Sequence, residues 1–271
     1  MNGHTSPGST TLKIIVTVCI AGLFYFGGSI YFRFQENAKR EKQMKATEEF
    51  RRTARDVTEQ AQQELKQDGG LSSETLVKTR EKMLQQFSKL ATVDKNAQLT
   101  MEVMSEIQEK AAAHHALLRR VNEERPFEMI TVKAKTDLAA RRKLGEELLR
   151  TNSEILAFVD SIESRVREKV LKAGFPNAEA TVAEFMTGWN KSASATRRAW
   201  QAGVTGAKSL IAVADLLDAH WGEWQVGNDL LNFNDDKIAK KYNGLLDMAQ
   251  KAQEDTVAAQ RELIEIQRAA R

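Results

Sequence analysis

Very little in this chain interrupts a helix. Three prolines, Pro7, Pro126 and Pro176, occur in 271 residues, and glycines are sparse between residues 71 and 173, so long stretches hold nothing that ends one. No alternating strand pattern is read in it, and no sheet is expected. The only cysteine, Cys19, has no partner for an intrachain disulfide and assigns no redox compartment. Val18 precedes it, whereas a lipid-modified cysteine usually follows a small residue. Neither sign of charge dominates: the net charge is +3, with acids and bases interspersed as on solvated helix faces, so nucleic-acid binding is not indicated.

The groups that carry chemistry are also sparse. His114 and His115 are neighbours and diverge around a helix, and neither has a glutamate three residues before it, so the Glu-x-x-His signature of di-iron bundles is missing. No His-x-x-x-His or cysteine pair occurs, and no nucleophile has an identifiable base beside it. Gly203-Val-Thr-Gly-Ala-Lys-Ser209 departs from a phosphate-binding loop at Ala207, where a glycine is needed, and no strand precedes it. Asp215 and Asp218 fall on one side of a helix and His220 and Glu223 on another, so they do not converge on a metal. No enzymatic activity, cofactor or metal is expected.

What the chain does have is one long apolar run. Ile14 to Phe32 reads IIVTVCIAGLFYFGGSIYF without a charge, close to the ~20 residues that a helix needs to cross a hydrocarbon core. In lipid every backbone amide needs an internal partner, so this segment is expected to be helical despite Gly22, Gly27 and Gly28. The competing reading is a cleaved signal peptide, since Gly27 and Ser29 have small-x-small spacing, which would leave an exported soluble helical protein; only Lys13 precedes the run as a basic residue, and the run continues past that site. After it come Arg33, Lys39, Arg40, Lys42, Lys45, Arg51 and Arg52. Basic flanks stay in the cytoplasm, so the C-terminal domain is expected there, with export as the alternative.

The remainder reads as helices. The expected organisation is a polar tail over 1–11, a transmembrane helix over 12–32, a stalk over 33–70 with the stripe Phe50, Val57, Ala61 and Leu65, and an elongated all-α antiparallel bundle or coiled coil over 71–271. A helix over about 72–91 buries Leu76, Met83, Phe87 and Leu90, and the next carries Leu99, Val103, Ile107, Leu118 and Val121 up to Pro126. From 137 to 173 an unbroken helix repeats Leu148, Asn152, Ile155, Val159, Ile162 and Val166 at spacings of four and three, with Gly174 as its left-handed cap. Asn152 either sets register and partner number or marks an exposed, frayed stretch.

A helix from about Asn177 toward Val226 follows, its seam running through Trp189, Trp200 and Trp221, with Gly203 and Gly206 admitting a neighbouring backbone. The last helix begins at Asn234 with a seam of Leu245, Ala249, Ala252, Ala259 and Leu263. These seams are the expected interaction and packing residues. They point to a single-pass membrane scaffold or adaptor that self-associates or holds a protein partner, with a membrane-linked helical sensor as the alternative.

Overall fold

The computed structural model describes residues 95–227 and 230–269, together with scattered helical positions between 48 and 88. The tail 1–11, the apolar segment 12–32 and most of the stalk lie outside the described residues. No described helix is long and apolar enough to cross a membrane. Helices α1 (Lys95–Glu124), α2 (Lys135–Asp160), α3 (Ile162–Lys172), α4 (Ala178–Ala219) and α5 (Asp236–Ala269) make up most of the fold. A 3-10 turn at Met129–Thr131 links α1 to α2, and a two-stranded antiparallel hairpin, β1 (Trp224–Gly227) and β2 (Leu230–Phe233), links α4 to α5.

The mostly helical fold agrees with the sequence; the hairpin does not. The helix expected to run toward Val226 stops at Ala219, where Gly222 takes φ +91° and the chain turns into β1. Trp224 faces Phe233 across the ladder and Val226 faces Leu231, while Trp224 Nε1 donates to the Leu217 carbonyl at 2.9 Å and ties the hairpin to the end of α4. At 42 residues α4 spans about 63 Å, shorter than a helix reaching Val226 would be.

A second difference lies at Ser161. The expected unbroken helix divides there into α2 and α3, and the Ser161 hydroxyl donates to the Phe158 carbonyl at 2.8 Å. The Ser192 hydroxyl makes the same kind of bond to Trp189 O inside the unbroken helix α4, so this bond alone does not account for the break. The apolar periodicity nonetheless runs through the break, because Val159, Ile162 and Val166 are all buried.

The ends of these helices follow from individual residues. Asp137 Oδ2 accepts the backbone N–H groups of Lys133 at 2.8 Å and Ala134 at 3.0 Å, satisfying donors at the start of α2; those two bonds hold its carboxyl below the usual range. At the end of α3, Gly174 takes φ +64°, its N–H donates to Leu171 O, and the Phe175 N–H donates back to Val170 O. That is the double closure of a left-handed cap. Phe175 then packs against the core, as the residue after such a cap commonly does.

The core forms two large clusters along the rod. One, at the hairpin end, joins Leu118, Met129, Leu138, Leu144, Leu148, Leu210, Leu217 and Tyr242. The other joins Ile155, Val159, Val166, Val182, Phe185, Trp189 and Trp200 with Leu99 of α1 and Ile264 of α5. Phe50 belongs to this second cluster and is 2% exposed, so the segment expected as a stalk contributes a side chain to the bundle core.

Candidate functional site: the seams of the central helix

Helix α4 runs between α2 and α5 and packs along both. Two ion pairs with α2 fix the antiparallel register: Arg142 Nε to Asp215 Oδ1 at 2.7 Å and Arg197 Nε to Asp160 Oδ1 at 2.6 Å. On the other side Arg198 pairs with Glu262 of α5. All three pairs are substantially exposed, so they steer alignment more than they stabilise it.

The buried stripes lie between these edges. Of the seam residues read from the sequence, Leu148, Asn152, Ile155 and Val159 of α2, Trp189 and Trp200 of α4, and Ala249, Ala252, Ala259 and Leu263 of α5 are all buried. Leu148 joins the hairpin-end cluster, whereas Ile155, Val159, Trp189, Trp200 and Ala259 join the other. Leu263 packs with Ala195, and Leu245 is half-buried against the hairpin-end cluster. Trp221 is the exception. It stands beyond the end of α4, 38% exposed, with its ring edge-on to Trp224 at 5.3 Å between centroids.

Asn152 occupies the level between the two clusters. It is 1% exposed, which removes the frayed, exposed reading of this position. Its amide packs against Gly203, where an added Cβ would stand 3.0 Å from Nδ2 and 3.2 Å from Cγ. A side chain at this position would require the asparagine to shift by a few tenths of an ångström. Asn152 Nδ2, Thr196 Oγ1 and both amide atoms of Gln260 are buried without a hydrogen-bond partner, so single polar groups interrupt an otherwise apolar set of interfaces.

The charged chemistry that sequence reasoning weighed does not converge. Gly203 to Ser209 lies inside α4, with the Ser209 hydroxyl donating to Thr205 O at 3.1 Å. Asp215 pairs with Arg142, Asp218 with Lys135 at 3.2 Å, and His220 Nδ1 lies 3.2 Å from Glu223 Oε2. Among the described residues no group of three His, Cys, Asp or Glu is placed to hold a metal ion. His114 is buried, with its ring edge-on to Trp200 at 5.2 Å.

Several structural contacts have no sequence signature. Arg141 is buried and donates to Pro126 O at 2.9 Å and Thr131 Oγ1 at 2.6 Å, latching the 125–134 connection onto α2. Burial pushes its guanidinium down from the usual value. Burial likewise pushes the nearby Tyr242 phenol up to about 12, against the opposing pull of Arg141. Across α1 and α3, Lys169 Nζ lies 2.8 Å from Glu106 Oε1 and Arg165 Nη1 lies 3.1 Å from Glu106 Oε2. Arg165 also stacks over the Phe158 ring at 4.7 Å. Such pairings look like any other charged helix surface until the fold brings the partners together.

Helix α4 thus shares long buried interfaces with α2 and α5, with Gly145 of α2 against Ile211 and Gly203 of α4 against Asn152. The chain matches no protein-family model, no curated protein and no solved structure.

Proposed function

We propose that this chain is a membrane-anchored, non-enzymatic scaffold or adaptor. The uncharged run from Ile14 to Phe32 holds it in a bilayer, and the bundle presents a rigid surface to a protein partner or a second copy. The observation that supports this reading most is the burial of the seams along α2, α4 and α5 within a rod about 63 Å long. A body of that kind sets a distance and an orientation from its point of attachment. The basic residues that follow the apolar run favour a cytoplasmic bundle.

Membrane fractionation tests the proposal. The full chain should resist carbonate extraction, and removal of residues 1–32 should release it with its helical circular dichroism intact. Release of the full chain by carbonate would refute the anchor.

A second reading, a membrane-linked helical sensor, draws on the buried, unpartnered polar groups of Asn152, Thr196 and Gln260. Buried groups without partners weaken one packing arrangement relative to another that pairs them. Under this reading a ligand added to the anchored protein should change helix packing, read as a shift in the fluorescence of Trp189 and Trp200. A scaffold keeps one arrangement throughout.

A further inference from the structure

Among the described residues six large apolar side chains are exposed, and four of them stand at the hairpin end: Ile130, Trp221, Val226 and Leu230, between 36% and 45% exposed. β2 lies beside the 3-10 turn and α5. Among the described residues the sheet has two strands, with β1 paired to β2, and none of them pairs with the other side of β1, whose outward backbone N–H and C=O groups form a strand edge. Gln225 and Val226 on that strand are exposed. An edge of this kind, with apolar residues beside it, is a template for another extended segment.

We propose that this edge is a contact between two copies of the chain held in the same bilayer, joining their hairpins into one four-stranded sheet. The inference rests on the membrane anchor proposed above. Ile130 lies on the β2 side, whereas Val226 on β1, Trp221 just before it and Leu230 across the ladder expose roughly a few hundred Å2 of apolar surface at this edge, the size of an ordinary apolar patch on a monomer. That is well under the ~800 Å2 per partner that stable association from solution requires.

The occupant must therefore supply strand main chain and be presented at high local concentration. A second anchored copy does both. Phe50 is seated in the bundle core, and only residues 33–49 separate it from the uncharged run, so each anchored copy keeps an identical edge on a short tether to the same bilayer. Confinement to one surface makes weak contacts effective without new area.

The test uses the full chain, with Cys19→Ser removing the only native thiol, reconstituted at low density in phosphatidylcholine vesicles. Val226→Cys places a thiol on the edge, and Met248→Cys, on α5 and 50% exposed, controls for random collision. Under mild oxidation the Val226→Cys protein should form disulfide dimers at least tenfold faster than the Met248→Cys protein. Adding Leu230→Lys should bring that rate down to the control.

Equal rates for the two thiols would overturn the contact. So would a Val226→Cys thiol that is shielded from a water-soluble maleimide while no dimer forms, since a different molecule would then cover the edge. Carbonate extraction of the same vesicles reads the anchor separately. Release of the chain would refute the anchor and the proposal together, whereas retention with equal rates would refute the contact alone.

Discussion

Ala252 is 4% exposed and lies between Ala249 and Thr256 on the face of α5 that packs along α4, each of these also buried. Replacing it with glutamate adds a long side chain where the interface has space for a methyl group. Overpacking of a close helix contact costs about 1–3 kcal/mol, and a carboxylate without a partner in such a site adds several more until it is protonated or escapes to water. A net loss of about 3–5 kcal/mol is expected, near the upper end of single substitutions. For a domain of this size each kcal/mol lowers Tm by roughly 2–4 °C, so thermal unfolding followed by circular dichroism should shift down by about 6–20 °C.

Two companions separate the causes. Ala252→Leu should show the steric part alone, and Met248→Glu, at a position 50% exposed, should stay within about 0.5 kcal/mol of the parent. The charge part has a pH signature. Burial raises the carboxyl pKa in the folded state, so the penalty is present above that raised value and shrinks as pH falls through it. An unchanged Tm for Ala252→Glu would refute the seam.

Three further outcomes follow from the geometry. For Glu106, burial acts to raise the carboxyl pKa, but Lys169 and Arg165 outweigh it and hold it below the ordinary value; its stabilising contribution is present above the unfolded value and lost as pH falls through the folded one, so Glu106→Gln should flatten the acid limb of a stability-versus-pH curve by about 1 kcal/mol or less. Tyr242 is pushed up to about 12 by burial, so it stays neutral in the folded state after the unfolded phenol ionises, and spectrophotometric titration should show its ionisation delayed toward pH 12, with stability falling between about 10 and 12. Arg141→Leu removes the latch to Pro126 and Thr131 and should cost about 2–3 kcal/mol in denaturant unfolding, with faster proteolysis confined to residues 125–134.

The faces of the long helices were legible because burial has a helical period. Leu148, Ile155 and Val159 on α2 and Ala249, Ala252 and Ala259 on α5 follow it, and all are buried. Gly174 announced the end of α3 because few other residues tolerate its φ. The hairpin was missed because each strand is four residues long, too short for alternation to separate from the apolar stripe of the preceding helix. Its turn signals, Gly222 and the sequence Gly227-Asn228-Asp229, stood in plain view. The break at Ser161 leaves no mark in the periodicity, since Val159, Ile162 and Val166 are buried on both sides of it. Phe50 showed its apolar stripe but not its destination, because a stripe states that a face is covered without naming what covers it. Gln260 sat one position from the stripe residue Ala259, and only the packing shows it to be fully buried.

The placement of α4 between two neighbours has a consequence for how the chain is made. The helix leaves the ribosome after α2, so one of its apolar faces finds a finished surface at once. Its other face waits for α5, which is complete only some 50 residues after Ala219. At 5–20 residues per second that delay is about 3–10 s, long beside the microseconds in which helices form. Throughout that time the side of α4 that α5 will cover is open to any other nascent chain nearby, and aggregation competes with folding in this interval.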